Sequence, residues 1–112
     1  MSLNTGIFEA DVIKAIDEAL SLFGIFHFRN NTGAIKTTRG TFVRFGFPGS
    51  ADFLGICPGG KFLSVEVKRP GGRLSPTQSA WLDAVNREGG VAIWVDSVDS
   101  LEQQLRERGV IK

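Results

Sequence analysis

The sequence predicts an α/β sandwich, a mixed central sheet flanked by helices, and three observations carry that expectation. Stretches of helical apolar spacing bracket the chain, short β-capable runs fill its middle, and one Pro-Gly-Gly turn joins two of those runs as a hairpin. At 112 residues the chain falls within the usual size of one domain, so residues 4–112 are expected to share one core. Residues 1–3, Met-Ser-Leu, are expected to be a cloning remnant.

From Thr5 to Phe23 the apolar residues Phe8, Val12, Ala15, Ile16, Ala19, Leu20 and Phe23 recur at helical spacing, and Gly24 stands where a helix stops. Ile25 to Asn30 alternates and is aromatic-rich, a strand leading into the polar turn Asn30 to Gly33. Lys36 to Phe45 is basic and β-capable and is expected as one further strand. Asp52 to Cys57 and Lys61 to Lys68 flank Pro58-Gly59-Gly60 and should pair antiparallel. Ser75 followed by Pro76 starts a helix that runs to about Glu88, before Gly89-Gly90. Val91 to Val95 is a buried strand, and Ser97 to Arg108 a last helix ended by Gly109. The expected order is αββββαβα. Trp81 and Trp94 are expected to fill core between the second helix and its strand.

Composition excludes several classes. With 42% hydrophobic and 22% charged residues the chain is neither disordered nor low-complexity. One cysteine, Cys57, permits no internal disulfide, and with a single histidine, His27, it builds no zinc site. No apolar run approaches the ~20 residues that span a bilayer, and an intracellular protein is expected. The net charge of +1 conceals a segregation: Arg29 to Arg73 holds eight basic and two acidic residues, while the flanks hold five basic and ten acidic. A basic middle suits phosphate binding, although it also describes a solvated loop region.

Period two in Lys61 to Lys68 puts Phe62, Ser64, Glu66 and Lys68 on one face and Leu63, Val65 and Val67 on the other, which is core. Folding the hairpin about Gly59 brings Asp52 opposite Glu66, within one residue for a bulge. Two carboxylates and an amine then converge. Such a set suits a hard divalent cation, magnesium or manganese, held by Asp52 and Glu66 with the Val67 backbone carbonyl between them, and Lys68 beside the reacting phosphate. A cross-strand ion pair of Asp52 with Lys68 on a wet face accounts for the same spacing.

The string Gly49-Ser50-Ala51-Asp52-Phe53-Leu54-Gly55, then Glu66-Val67-Lys68-Arg69-Pro70, then Gln78, resembles the virus-type replication-repair nuclease family, VRR-NUC, of the PD-(D/E)xK superfamily. Glu9, the Arg29 to Gly33 turn and the stretch from Gly71 to Gln78 resemble its small stand-alone, phage-type members. The family's proline before the aspartate is Ala51 here, a loss of stiffness at the strand entry and not of a ligand. The resemblance implies a restriction-endonuclease-like fold and a metal-dependent DNA endonuclease with catalytic Asp52, Glu66 and Lys68. It further implies a site-facing Glu9, for a second ion or a water, against the plainer role of an acid in a helix's first turn. Gln78 is either the return arm of a capping box with Ser75 or a site residue beside Lys68, two uses that compete for one side chain.

Arg29, Asn30, Asn31, Lys36, Arg39, Arg44, Arg69 and Arg73 are the candidate DNA contacts. The resemblance also implies a homodimer acting on branched DNA in the manner of a Holliday junction resolvase, with Phe42, Phe45 and Phe47 as contact surface or core. A flap, linear or single-strand nuclease shares the same site, and a binding module of the same fold without chemistry is the alternative from another class.

Overall fold

A computed structural model describes residues 7–112. The expectation for residues 1–3 lies outside the described residues. The elements are α1 (Glu9–Leu22), β1 (Phe26–Arg29), β2 (Gly33–Lys36), β3 (Phe42–Phe45), β4 (Phe53–Ile56), β5 (Phe62–Val67), α2 (Pro76–Arg87), β6 (Val91–Val95) and α3 (Val98–Glu107). The fold is therefore the mixed α/β arrangement that the sequence predicts, with one correction to the order. The expected single strand from Lys36 to Phe45 is instead the end of β2, a turn and all of β3, so five strands and not four precede α2. Thr37 to Gly40 make the turn: the Gly40 N–H donates to the Thr37 carbonyl at 2.8 Å, and the Thr37 N–H to the Thr41 carbonyl at 2.7 Å. Gly40 sits at φ +84°, where a side chain would be strained.

Four strands form the central sheet in the order β1-β4-β5-β6, with β5 and β6 parallel and the other neighbours antiparallel. β2 and β3 form a separate two-stranded ribbon. The hairpin at Pro58-Gly59-Gly60 pairs Phe53 with Val65 and Ile56 with Phe62, the register expected from the turn.

One face of the sheet is closed by α1 and α3. Val12, Ile16, Ala19 and Leu20 from α1, and Leu101 and Leu105 from α3, meet Phe53, Leu63, Val65, Val67, Val91, Ile93 and Val95 in one apolar core. Burying a side chain of this size contributes about 1.5–3 kcal/mol, so this layer holds β5 in place. His27 belongs to that side: its ring nitrogens lie 2.8 Å from the Ile25 carbonyl and 2.6 Å from the Asp17 carboxylate, tying β1 to α1.

The other face is covered only in part. α2 contacts β5 and β6, burying Leu82 and donating the Trp81 indole N–H to Ser64 Oγ at 2.7 Å. Nothing among the described residues covers β1 and β4 there. Trp94, expected in the core, is 41% exposed, because β6 turns it onto this face while Val91, Ile93 and Val95 point to the closed one.

Candidate active site

The register aligns a row of residues across the sheet on the face that α2 half covers. Asn30 follows β1 and donates its backbone N–H to the Asp52 carbonyl at 2.7 Å. Asp52 precedes β4, Glu66 is the fifth residue of β5, and Trp94 of β6 is the Cα partner of Glu66. Lys68 extends the parallel ladder by donating its N–H to the Val95 carbonyl at 2.9 Å. Period two therefore delivers Asp52, Glu66 and Lys68 to one end of one face, as their spacing predicts.

Each carboxylate is held from behind. Asp52 Oδ2 accepts the Val67 backbone N–H at 2.7 Å, while Arg29 Nη1 donates to the Asp52 carbonyl at 3.0 Å and lies 3.4 Å from Oδ1. The Arg29 guanidinium also stands over the Phe53 ring at 5.7 Å, which fixes its plane. In an extended strand a residue's N–H and C=O face the same neighbour, so the Val67 carbonyl also looks toward the Asp52 strand.

Glu66 is only 3% exposed. Its Oε2 lies 3.6 Å from Lys68 Nζ and accepts the Gln78 Nε2–H at 3.1 Å. The Gln78 side chain resolves the choice left open by sequence, because it makes both contacts. Its Oε1 accepts the Ser75 N–H at 2.9 Å, Ser75 Oγ accepts the Gln78 N–H at 3.1 Å, and Nε2 remains free for Glu66. An amide has an acceptor at one corner and donors at the other, so a capping box can point a donor into a site.

Burial above all, with the neighbouring Asp52 charge and a hydrogen bond to Asp52, pushes the Glu66 carboxyl up to about 8 against the downward pull of Lys68. Glu66 therefore keeps a proton at neutral pH, the state expected of two carboxylates that share a place without a cation between them.

Other candidate residues are distributed as follows. Glu9 is the first residue of α1 and is exposed. Among the described residues no three His, Cys, Asp or Glu side chains gather closely enough to hold a metal, so Glu9 does not join Asp52 and Glu66 in this arrangement. Asn30 spends its amide donors on Ser50 Oγ and the Ala51 carbonyl, both at 2.8 Å, and thereby clamps the loop that leads into Asp52. That clamp supplies the stiffness a proline at position 51 would give. The same loop lies against α2: a Cβ on Gly49, at φ +80°, would stand 2.6 Å from Thr77. Asn31, Lys36, Arg39 and Arg44 are exposed on or beside the ribbon, and Arg69 and Arg73 are exposed on the segment between β5 and α2.

Sequence reasoning does not find Arg29 as the partner of Asp52, nor Asn30 and Ser50 as the clamp. The signal is present, since pairing β1 with β4 puts Asn30 directly opposite Asp52.

A family model of the VRR-NUC domain matches residues 24–99, more than half of the chain. The chain belongs to the VRR-NUC family. The matched segment contains Asp52, Glu66, Lys68 and Gln78, leaves Glu9 outside, and gives this VRR-NUC domain a nuclease-type function with DNA as substrate. Comparison with curated proteins and with solved structures gives no match. Among the described residues no helix is long and apolar enough to cross a membrane.

Proposed function

We propose that this VRR-NUC domain is a divalent-cation-dependent DNA endonuclease of the PD-(D/E)xK type, working as a homodimer on branched DNA. The observation that carries the proposal is the convergence of Asp52, Glu66 and Lys68 at one end of the β4–β5 hairpin, with Glu66 buried and Lys68 Nζ 3.6 Å from its carboxylate. The donor set is all oxygen, two carboxylates and the Val67 carbonyl, and it fits a hard cation such as magnesium or manganese. Held there, the cation supplies positive charge to the scissile phosphate and acidity to a water.

The chain's own residues do the rest. Gln78 and Lys68 steer the Glu66 carboxylate, and Arg29 and the Val67 N–H steer that of Asp52. Lys68, with Nζ 3.6 Å from Glu66, neutralises the charge that builds on the phosphoryl oxygens as water attacks phosphorus and one P–O ester bond breaks. The exposed cations Lys36, Arg39, Arg44, Arg69 and Arg73 contact backbone phosphates, which orients a nucleic acid without reading bases. One small domain cuts one strand, so a pair of copies serves the two strands of a junction. Glu9 is reserved for a second ion, which α1 would bring to the site only by moving.

Cleavage of a labelled four-way junction, a flap and a plain duplex in magnesium, in manganese and in EDTA tests this reading. Paired nicks near the junction, absent in EDTA and reduced at least ~100-fold in Asp52→Ala and Lys68→Ala, are expected. Preference for flap or single-stranded DNA would overturn the junction assignment. Tight binding without cutting in either metal would make the chain a binding module.

A further inference from the structure

Two apolar surfaces lie without a partner among the described residues. The first is the open face of the sheet beside the site. Register puts Phe26, Ile56 and Phe62 in one row across β1, β4 and β5, and Phe28 with Leu54 in the next, one row from Asn30 and Asp52. Phe26, Phe28, Ile56 and Phe62 are 41–67% exposed, and the patch continues into an apolar hollow of about 250 Å³ between Phe62 and α2.

The second surface is one face of the ribbon. Cα partners share a face, so Phe45 and Gly33 stand with Ile35 and Val43 on one side, and Arg44 and Ala34 with Lys36 and Phe42 on the other. The Phe45 ring lies against Gly33. Ile35, Val43 and Phe45 are 42–57% exposed, yet the opposite side carries the cations and Arg39 stands in the turn. A two-stranded ribbon covered on neither face is marginal in water, so the wholly apolar face suits a protein, while the opposite face, which exposes Phe42 beside Lys36 and Arg44, offers its cations to phosphate.

We propose that two copies of this chain exchange ribbons, the Ile35, Val43 and Phe45 face of each lying on the Phe26, Phe28, Ile56 and Phe62 face of the other. Each ribbon then presents Lys36, Arg39 and Arg44 beside the site of the opposite copy. The proposal rests on the homodimer reading above and adds its surface and its contribution to the site. The occupant is a second copy because the two patches satisfy each other at once, and a reciprocal exchange closes under two-fold symmetry. The area also suffices. With about 150–250 Å² for a whole aromatic side chain, seven half-exposed groups offer roughly 600 Å² of apolar surface per copy, against about 800 Å² per partner, polar and apolar together, in a standard interface. The ribbon face alone is too small to pair with itself on that scale. The rows of the sheet patch are built from the apolar residues Phe26, Phe28, Leu54, Ile56 and Phe62, which suits a protein better than a nucleic acid strand.

Mass in solution is the first measurement. The wild type is expected at twice the 12.2 kDa of one chain. Val43→Asp on the ribbon and Ile56→Asp on the sheet should each halve that mass while circular dichroism melting shows an intact fold. In a Cys57→Ser background under mild oxidation by molecular oxygen and a copper catalyst, mixed Val43→Cys and Ile56→Cys chains should form an interchain disulfide that neither forms alone. A monomeric wild type, dimers that survive both aspartates, or self-linked Val43→Cys chains would each overturn the exchange. A monomer whose single-stranded DNA binding is lost in Phe26→Asp would instead give the open face to nucleic acid.

Contribution in trans has its own readout. Asp52→Ala chains mixed with Lys36→Ala/Arg39→Ala/Arg44→Ala chains should regain about a quarter of wild-type cutting, since half the pairs are mixed and each holds one complete site. No regain in mixed pairs that cross-link would overturn action in trans. Mass and cross-linking do not depend on cleavage, so a dimer that cuts no DNA would sink the nuclease reading and leave the surface standing.

Discussion

The β4–β5 hairpin and the β2–β3 ribbon are both antiparallel pairs of alternating sequence, yet in one β5 is buried on both faces from Leu63 to Val67 and the other is buried on neither. Leu63, Val65 and Val67 are fully buried under α1 and α3, and Ser64 and Glu66 are buried on the opposite face under α2. In the ribbon Ile35, Val43 and Phe45 occupy the corresponding apolar positions and remain exposed. Strand sequence therefore sets which residues share a face, and the layers above and below set what that face is worth. The site belongs to the hairpin because a carboxylate acquires unusual chemistry only where neighbours desolvate and position it. The ribbon is where a surface stays free for other molecules.

The largest expected effect breaks this contrast by the same kind of deletion in each region. Leu63→Ala should destabilise the chain by about 2–5 kcal/mol, since a fully buried leucine leaves a cavity under α1 and α3. Ile35→Ala should change the stability of one chain by no more than about 0.5 kcal/mol. Urea unfolding of both variants at a concentration where copies are separate measures the difference. Equal losses would mean that the ribbon packs on its own sheet.

The same division governs how much of the molecule is legible in the sequence. Pro58-Gly59-Gly60 is a turn that leaves few registers, so the residue order by itself sets Asp52 opposite Glu66, and period two then puts Lys68 beside them. Thr37 to Gly40 carry a weaker turn signal inside a basic run, which is why that run reads as one strand where the chain makes a hairpin. Trp94 lies outside the core expected for it because alternation in a short apolar strand does not say which face a helix covers. The double use of Gln78 is beyond a one-dimensional argument, because it depends on which way each corner of an amide points.

The second test concerns the charge that burial produces. In cation-free protein the folded Glu66 holds its proton to about pH 8, while the unfolded chain loses it near the ordinary 4.5. Both states are protonated below 4.5. Between the two values only the unfolded state has released the proton, so stability should fall as pH rises through that window. Glu66→Gln should remove the slope, and denaturant midpoints from about pH 5 to about pH 8 in EDTA measure it. The exposed ribbon holds no carboxylate, so Lys36→Ala and Arg44→Ala should leave the slope unchanged. A flat profile in the wild type would mean that Glu66 is as wet as the ribbon.

The smallest effect separates the cover from the site it completes. Ser75→Ala removes the cap acceptor of α2 and should cost about 1 kcal/mol, with cutting retained because Gln78 Nε2 still reaches Glu66. Gln78→Leu loses the same cap's return arm and also the donor on Glu66, so its stability should drop by a similar amount while cutting falls roughly tenfold. The split between melting and cleavage is the deciding readout. If both variants lose cutting in proportion to stability, α2 serves this face only as a lid, and Gln78 acts on the helix and not on Glu66. If Gln78→Leu alone loses cutting, the hairpin differs from the ribbon by a placed donor as well as by burial.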